Sequence, residues 1–333
     1  MKYTVVGAGS WGTTIGTMLA PRVETVIWAR DPDIAAQINS HHRNDAYLEG
    51  FDLPPTLQAT TDIEEAVHGA TVIVMGVPSH GYRSVLMRFA ELVDRTTPIV
   101  SLSKGIERET LMRMTEVTLD VLRHHDPTRV GVLTGPNLAR EIMEGQPAAT
   151  VIAFEDGVTA SELQHMFMGP TFRVYTNPDV VGSEIAAAVK NVMAIASGMA
   201  AGKGFGDNSL ATLITRALVE MTRLGVAMGG DFRTFAGLAG LGDLVATCNS
   251  SQSRNHRVGF GLGRGRTLDE VTSEMNMVAE GVKSTAGVLR LAERHRVDMP
   301  IARQVGRVLY EDLDVTEALT ELMTRAAKSE FKR

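Results

Sequence analysis

The chain has 333 residues, of which 44% are hydrophobic and 22% charged, a composition typical of a soluble globular enzyme and a length that suits two domains. Its 33 basic and 39 acidic residues leave a net charge of −6, so we do not expect the surface to bind nucleic acid. A single cysteine, Cys248, excludes an intrachain disulfide and suits a reducing, cytoplasmic location; we interpret it as a buried packing residue.

The ends and apolar segments of the sequence give no sign of secretion or membrane insertion. A β-branched segment begins at residue 2, which leaves no room for a signal peptide. The most apolar helical segment, 185–201, contains Lys190, Asn191 and several small residues, so we expect no stable insertion into a membrane. The nine histidines lack the spacing of metal ligands, and we expect no metal site.

Residues 1–176 alternate between short β-branched segments and amphipathic segments. The predicted strands are 2–7, 24–28, 70–77, 97–102, 129–133, 148–153 and 171–175, and the predicted helices are 10–20, 32–41, 79–92, 110–123 and 158–167. This alternation predicts an α/β domain, a Rossmann-type doubly wound sheet that is mostly parallel and covered on both faces.

From about 181 to 330 the apolar residues recur with helical periodicity, and no segment is typical of a strand. We therefore predict a dinucleotide-binding domain at 1–178 and an all-α C-terminal domain at 179–333 that binds the substrate and carries the catalytic group. The glycine-rich segments 202–206, 237–242 and 259–265 are interpreted as loops between helices.

A glycine motif lies at the N-terminus. The segment 7–12, Gly-Ala-Gly-Ser-Trp-Gly, follows a predicted strand and opens a predicted helix, the context in which Gly-x-Gly-x-x-Gly indicates dinucleotide binding. Gly7 would permit the tight turn, Gly9 would let a pyrophosphate approach, and Gly12 would let the helix pack near the sheet.

Arg30 and Asp31 follow the second predicted strand, where dinucleotide-binding folds contact the adenosine ribose. Arg30 would suit the 2′-phosphate of NADP, whereas Asp31 leaves NAD possible. Arg30 could also be a solvated loop charge.

Hydride transfer needs a group that exchanges a proton with the substrate oxygen, and Lys190 is the best candidate. It lies among Ala and Val on an apolar helix, where desolvation would lower its pKa toward neutrality. Lys104 and the segment Gly135-Pro136-Asn137 each follow a predicted strand, at the sheet edge where ligands bind.

Ser253, Arg254 and Asn255 lie downstream of Asp243 in the predicted helical half. Arginine offers planar donors that match a phosphate, and asparagine adds a directional donor beside it. The segment predicts a pocket for a small phosphorylated substrate.

Together these segments resemble the bacterial NAD(P)-dependent glycerol-3-phosphate dehydrogenases, and the resemblance spans nearly the whole chain. It rests on GAGSWGT at 7–13, NDAYLEG at 44–50, VPS at 77–79, SKG at 103–105, GPNLARE at 135–141, VKN at 189–191, GDN at 206–208, GLGD at 240–243, SRN at 253–255 and EG at 280–281. Two positions depart from the family pattern: Asn137 stands where Ser or Thr is common, and Glu49 where Pro is usual.

The resemblance implies interconversion of sn-glycerol 3-phosphate and dihydroxyacetone phosphate with NAD(P)H, supplying phospholipid synthesis, in a cytoplasmic homodimer. It implies that Lys190 is the general acid and base and that Asp243 orients Lys190 or a substrate hydroxyl. The implied substrate contacts are Lys104, Gly135, Asn137, Lys190, Asp243, Ser253, Arg254 and Asn255. The implied cofactor contacts are Gly7, Gly9, Ser10, Trp11, Gly12, Arg30, Lys104, Ala139, Arg254, Val278 and Glu280.

Two other functions fit parts of the sequence. A β-hydroxyacid dehydrogenase or ketopantoate reductase would share the Rossmann domain, the helical domain and a catalytic lysine, but a carboxylate substrate would not depend on Arg254 and Asn255. A non-catalytic dinucleotide sensor would bind the cofactor without needing Lys190 and Asp243 together.

Overall fold

The computed structural model describes residues 1–275, 279–327 and 329–330. Its N-terminal part is built on one sheet of eight strands in the order β3-β2-β1-β4-β5-β6-β7-β8. Neighbouring strands are parallel except β6 and β7, which are antiparallel. The strands are β1 (Lys2–Val6), β2 (Glu24–Trp28), β3 (Leu57–Thr60), β4 (Val72–Met75), β5 (Ile99–Ser101), β6 (Val130–Thr134), β7 (Ala148–Ala153) and β8 (Phe172–Asn177).

Helices cover both faces of the sheet, which is why β4, β5 and β6 are buried along their whole length. The α-helices of this part are α1 (Ser10–Leu19), α2 (Pro32–His41), α3 (Asp45–Leu48), α4 (Ile63–Val67), α5 (Tyr82–Met87), α6 (Met114–Val121), α7 (Ala139–Met143) and α8 (Gly157–Phe167). Single 3-10 turns lie at Ser79–Gly81, Ala90–Leu92 and Pro127–Arg129.

Beyond β8, the described residues form helices without a strand, as the periodicity predicted. They are α9 (Val180–Gly202), α10 (Asp207–Ala227), α11 (Phe232–Ala236), α12 (Asp243–Asn249), α13 (Arg254–Gly263), α14 (Leu268–Ser273), α15 (Glu280–Arg294), α16 (Pro300–Tyr310) and α17 (Val315–Met323). The predicted fold class, a Rossmann-type α/β sheet followed by helices, is confirmed.

All the predicted strands are present, and one strand was not predicted. The strand that the sequence did not predict is β3, which has only four residues, Leu-Gln-Ala-Thr, and lies at the edge of the sheet. Its alternate residues are buried, as in a half-exposed strand, but four residues are too few for this alternation to stand out in the sequence. The predicted helix 79–92 is divided into two 3-10 turns that flank α5.

Helix α9 is the core of the helical part, and it packs against α10, α12, α13 and α15. By length and composition it could cross a membrane, but 83% of its most apolar window is buried inside the protein. Cys248 lies in the same core and is only 2% exposed, which agrees with its interpretation as a packing residue. Burial raises the pKa of its thiol to about 12.

The prediction of a loop at 259–265 is wrong, because most of this segment belongs to α13. A Cβ atom on Gly259 would collide with the carbonyl oxygen of Ile195, and one on Gly263 with that of Met199. These glycines therefore let the backbones of α13 and α9 touch, and the packing compensates for their low helix propensity.

The loop prediction for 237–242 is also wrong, since Leu238–Gly242 is one turn of π-helix that leads into α12. The prediction for 202–206 is confirmed, because this segment joins α9 to α10. Gly204 adopts a φ of +81° there, which favours glycine.

Candidate active site

A cavity of about 190 Å³ lies between the carboxyl edge of the sheet and the helical part of the chain. Polar side chains that the sequence analysis singled out lie around it, although they are far apart along the chain. Its lining consists of Trp11, Leu102, Lys104, Asn137, Leu138, Lys190, Asn191, Asp243, Ala246, Thr247, Gln252, Ser253, Arg254, Asn255 and Glu280.

Two lysines share one carboxylate in this cavity. Asp243, the first residue of α12, accepts hydrogen bonds from Lys190 Nζ at its Oδ1 and from Lys104 Nζ at its Oδ2, both at 2.8 Å. The Asp243 side chain is 2% exposed and that of Lys190 is 7% exposed. The triad is therefore held largely away from water, where its electrostatic interactions are strong.

Burial lowers the pKa of Lys190 to about 8, and the positive charge of Lys104 acts in the same direction. The negative charge of Asp243 opposes both effects. At Asp243 burial works against ionisation, but the two lysines outweigh it and hold the pKa of the carboxyl below its ordinary value. Lys190 can thus gain or lose a proton near neutral pH beside a carboxylate that stays ionised.

Thr247 is part of this cluster and was not singled out from the sequence. Its Oγ1 accepts a hydrogen bond from Lys190 Nζ at 2.6 Å and lies 3.2 Å from Asp243 Oδ1. The one available signal was its position four residues after Asp243, which places both side chains on the same face of α12. The two residues together fix the direction of the Lys190 side chain.

Asn255 is held by a chain of buried amides. Its Nδ2 donates to Asn191 Oδ1 at 2.9 Å, and its Oδ1 accepts from the backbone N–H of Gly281 at 2.9 Å. Asn191 Nδ2 in turn donates to the backbone oxygen of Lys104 at 3.0 Å. These bonds fix which end of the Asn255 amide faces the cavity and connect it to the loop that carries Lys104.

Ser253 and Arg254 lie where α13 begins. The Ser253 hydroxyl caps the helix by accepting the N–H of His256, and Arg254 is the first helical residue. Burial lowers the pKa of Arg254, while the charge of Glu280 opposes that effect. A helix N-terminus beside the Arg254 guanidinium, which is accessible from the cavity, is suited to an anion such as a phosphate.

Gly135 and Asn137 lie beside the cavity, after β6. The backbone oxygen of Gly135 accepts from Lys104 Nζ at 3.0 Å, and Gly135 adopts a φ of +146°. Asn137 Nδ2 donates to Thr150 Oγ1 at 3.0 Å. Its Oδ1 is buried and makes no hydrogen bond within the described chain, so it is an unpartnered acceptor on a residue that lines the cavity. Ala139 begins α7 just beyond.

The N-terminal glycines form a turn that fits a dinucleotide. Gly7 has a φ of +119°, and a Cβ on it would lie 2.7 Å from the oxygen of Gly76. A Cβ on Gly12 would collide with the backbone of Gly7, whereas the space in front of Gly9 is open within 4 Å. The glycine positions thus allow the turn, the close packing and the approach of a pyrophosphate that the motif predicts.

Ser10 and Trp11 open α1 on the cavity side of this turn. The Ser10 hydroxyl donates to the backbone oxygen of Tyr47 at 2.9 Å, in the segment that ends at Glu49, the residue just after α3. Trp11 Nε1 is buried and finds no hydrogen-bond partner among the described residues. That donor, the open space at Gly9 and the α1 N-terminus fit the phosphates and ribose of a nicotinamide dinucleotide.

The remaining predicted cofactor contacts lie in several places. Arg30 is exposed beyond β2, and Asp31 caps α2 by accepting the N–H of Asp33 at 2.9 Å. Glu280 Oε1 accepts the N–H of Ser79 at 2.9 Å, which joins α15 to the loop after β4. Val278 lies outside the described residues.

Comparison with known proteins agrees with this arrangement. Residues 2–160 match the family model for the N-terminus of NAD-dependent glycerol-3-phosphate dehydrogenase, and residues 179–320 match the model for its C-terminus. The chain is 51% identical over 331 residues to glycerol-3-phosphate dehydrogenase [NAD(P)+] from Thermobifida fusca, covering 99% of this chain and 98% of that one. It is 50% identical over 332 residues to the enzyme of the same name from Corynebacterium diphtheriae, covering 99% and 100%.

Solved structures give the same result. The crystal structure of glycerol-3-phosphate dehydrogenase from Coxiella burnetii superposes with a TM-score of 0.92 at 37% identity, covering 97% of this chain and 99% of that one. A ketopantoate reductase from Ralstonia eutropha reaches a TM-score of 0.59 at 18% identity over 96% and 100%, and shares the fold alone. The chain belongs to the NAD-dependent glycerol-3-phosphate dehydrogenase family.

Proposed function

We propose that Lys190 is the general acid and base of this protein, an NAD(P)-dependent glycerol-3-phosphate dehydrogenase that interconverts sn-glycerol 3-phosphate and dihydroxyacetone phosphate. The observation that carries the proposal is the buried pairing of Asp243 with both Lys190 and Lys104 beside the dinucleotide turn. The enzyme supplies glycerol 3-phosphate for lipid metabolism.

A nicotinamide held beside Lys190 would supply the hydride chemistry, as the acceptor of a hydride from C2 of glycerol 3-phosphate or as its donor to C2 of dihydroxyacetone phosphate. When glycerol 3-phosphate is oxidised, neutral Lys190 takes the proton of the C2 hydroxyl as the carbonyl forms. When dihydroxyacetone phosphate is reduced, protonated Lys190 returns that proton to the carbonyl oxygen. A pKa of about 8 makes both protonation states accessible, so one amine can serve both directions.

Asp243 and Lys104 have different parts in this step. The Asp243 carboxylate, with Thr247, holds the Lys190 amine in one direction so that its free position faces the substrate oxygen. Lys104 brings a positive charge beside the amine, and in reduction this charge stabilises the negative charge that develops on the carbonyl oxygen. Gly135 orients Lys104 through its backbone oxygen.

The substrate phosphate is proposed to bind at the start of α13, on Ser253, Arg254 and Asn255. The guanidinium, the helix N-terminal amides and the remaining Asn255 N–H are complementary to a phosphate dianion. Asn137 contributes its unpaired oxygen, which suits a substrate hydroxyl.

The cofactor is proposed to lie across the glycine turn, with its nicotinamide toward Lys190. The residues proposed to hold it are Gly7, Gly9, Ser10, Trp11, Gly12, Arg30, Lys104, Ala139, Arg254, Val278 and Glu280. Arg254 lines the cavity on which both ligands converge, so we assign it to the substrate phosphate and the cofactor together.

Replacement of Lys190 tests the proposal. We expect Lys190→Ala to abolish turnover in both directions while the dissociation constant for NADH, measured by fluorescence titration, stays within about threefold. Lys203→Ala, at the end of the same helix, is the matched control and should keep full activity. Loss of cofactor binding together with turnover, or retention of turnover, would contradict the assignment.

A carboxylate substrate is the competing possibility, since ketopantoate reductase shares the fold. The guanidinium of Arg254 at the α13 N-terminus favours the phosphate. Steady-state assays that compare dihydroxyacetone phosphate with unphosphorylated 2-keto acids decide the matter, because faster turnover of a keto acid would exclude the assigned substrate.

Three organisational features complete the proposal: domains at 1–178 and 179–333, a homodimer, and a cytoplasmic location without membrane insertion. The change from strands to helices between β8 and α9 supports the boundary, and the burial of α9 supports the absence of insertion. Exposed Phe232, Leu241 and Val245 on the helical part offer a surface for a second copy. Sedimentation equilibrium tests the dimer, and a monomer throughout the micromolar range would refute it.

A further inference from the structure

The amine of Lys190 is held as a nucleophile would be. It donates to Asp243 Oδ1 at 2.8 Å and to Thr247 Oγ1 at 2.6 Å, and the described residues offer it no third acceptor. The Thr247 hydroxyl donates to Asp243 Oδ1 at 3.2 Å, so it accepts from Lys190 and leaves the nitrogen lone pair uncovered. A neutral amine has two N–H groups, which these two acceptors occupy. Its lone pair therefore takes the remaining tetrahedral position, on a side chain that lines the cavity.

The charges of the cluster favour the neutral amine. Lys104 and Lys190 share the one carboxylate of Asp243, so with both amines protonated the cluster carries an uncompensated positive charge. Loss of one proton leaves a balanced ion pair, which is the less costly state away from water. Lys190 is the more buried lysine, with 7% of its side chain exposed against 15% for Lys104. Burial lowers the pKa of Lys190 to about 8, whereas Cys248, the remaining titratable group that acts on it, stays a neutral thiol.

A carbonyl compound in this cavity would meet the amine at reacting distance. Proton exchange requires Lys190 Nζ to lie about 2.6–3.2 Å from the substrate oxygen. The carbonyl carbon is one bond of about 1.2 Å from that oxygen, so it can come within about 3.5 Å of the amine, a near-attack separation. An aldehyde carbon is less hindered and more electrophilic than a ketone carbon. Phosphorylated aldehydes should therefore react most readily.

We propose that the Lys190 amine is also a nucleophile that forms a reversible imine with small phosphorylated aldehydes, which thereby block the active site when no reduced cofactor is bound. The aldehyde's phosphate would be held by Arg254 at the start of α13, so the inference rests on the proposed function for its phosphate site. Glycolaldehyde phosphate is the matching ligand. It lacks only the hydroxymethyl group of dihydroxyacetone phosphate and keeps the same bonds between phosphate and carbonyl carbon.

Imine formation here needs neither an oxidant nor a reductant. The nitrogen lone pair attacks the aldehyde carbon, and the electron pair of the C=O π bond moves to the oxygen. The resulting carbinolamine loses water as the C=N bond forms, and the aldehyde oxygen leaves in that water with the two hydrogens of the neutral amine. The ammonium group of Lys104, which lines the same cavity, can relay these protons. Addition of water reverses the step.

Reductive trapping tests the inference without requiring turnover. The full chain without cofactor is incubated with glycolaldehyde phosphate and sodium cyanoborohydride, which reduces a C=N bond to a stable secondary amine, and the labelled lysine is identified by peptide mass spectrometry. We expect label on Lys190, at a rate that rises around a midpoint of about pH 8. Unphosphorylated glycolaldehyde should label it about 100-fold more slowly, because it lacks two charge-assisted hydrogen bonds of the phosphate. Glycerol 3-phosphate, which has no carbonyl group, should protect Lys190.

Lys283, an exposed lysine on α15, is the internal control and should react slowly and equally with both aldehydes. Lys190→Arg should lose the label at this position while keeping native thermal stability. Labelling of Lys104 in place of Lys190, equal labelling of Lys190 and Lys283, or no labelling would each overturn the proposal. When cyanoborohydride is omitted, activity should return on dilution, and lasting inactivation would exclude a reversible imine.

The two proposals for Lys190 fail in different ways. An active dehydrogenase whose Lys190 takes no label excludes the nucleophile and leaves the proposed function standing. A protein that is labelled at Lys190 but does not reduce dihydroxyacetone phosphate refutes the proposed reaction and leaves the nucleophile.

Discussion

Replacing Asp243 by Asn removes one negative charge from the buried cluster without changing the size of the side chain. In the unmodified protein this charge raises the pKa of Lys190, against burial and against the charge of Lys104. In the variant, burial and the charge of Lys104 still lower the pKa of Lys190, but the negative charge that raised this pKa is gone. We therefore expect the pKa of Lys190 to fall below its value of about 8.

The size of the effect follows from the geometry. Lys190 and Asp243 are 2.8 Å apart and almost fully buried, and close charge pairs that exclude water have coupling energies from about 1.5 kcal/mol upward. One pH unit corresponds to about 1.4 kcal/mol, so the pKa should fall by about one unit or more. An amide also replaces one of the two acceptor oxygens by an NH2 donor that would face one of the lysines, so misdirection of the amine should lower the rate about 10²-fold or more.

The assay is kcat/KM for oxidation of glycerol 3-phosphate from pH 5.5 to 10, because oxidation requires neutral Lys190. In the unmodified protein, kcat/KM should rise with pH around a midpoint of about pH 8. In the variant this midpoint should move to about pH 7 or below, and the maximal kcat/KM should fall. Asp269→Asn, which removes an exposed charge from α14, is the control and should leave both unchanged. If the variant has native thermal stability and the midpoint of its pH profile stays in place or moves to higher pH, Asp243 does not raise the pKa of Lys190 and its assigned role is refuted.

Three further predictions concern stability. Glu220, whose carboxylate accepts two backbone N–H groups at the start of α16, has its pKa raised by burial from 4.5 to about 7. The folded state therefore keeps a proton that the unfolded state loses, so about 3 kcal/mol of stability should be lost as pH rises from about 4.5 to about 7. Urea unfolding at both pH values should show a smaller loss in Glu220→Gln; an equal loss would contradict the prediction. Glu184 forms a buried ion pair with Arg113 that joins α9 to the start of α6, and Glu184→Ala should cost about 3–5 kcal/mol. In a protein that already carries Arg113→Met, Glu184→Ala should lower the free energy of unfolding by clearly less. If the effects of the two substitutions simply add in this double-mutant cycle, the pair is not coupled. Gly259→Ala should destabilise the protein by about 1–3 kcal/mol because its Cβ would collide with α9, whereas Gly157→Ala, with open space around it, is the control. Thermal unfolding that is the same in both variants would argue against backbone contact between α13 and α9.

Local patterns allowed much of the fold to be predicted. The glycine turn, the strands around it and Lys190 each depend on residues adjacent in sequence, so their spacing carries the signal. Thr247 escaped prediction because its contact with Lys190 joins residues 57 positions apart. The bridge from Asp243 to Lys104 spans 139 positions, and no local pattern encodes such a pairing.

The glycines of α13 were misinterpreted for a related reason. Four glycines at 259–265 have the composition of a loop, and an isolated peptide of that sequence would not form a stable helix. The helix exists because α9 offers a surface on which only glycine fits. Its stability thus belongs to the pair of helices and could not be found in either segment alone.

The contact between α13 and α9 also has a consequence for substrate size. α9 carries the Lys190 amine, and α13 begins with the residues proposed to bind the substrate phosphate. At Gly259 and Gly263 the backbones of α13 and α9 touch, so no side chain can rotate there to change the spacing of the two helices. The main chain therefore fixes the distance between the proposed general base and the proposed phosphate site. We expect these glycines to contribute to selection for a three-carbon substrate, although they lie outside the cavity.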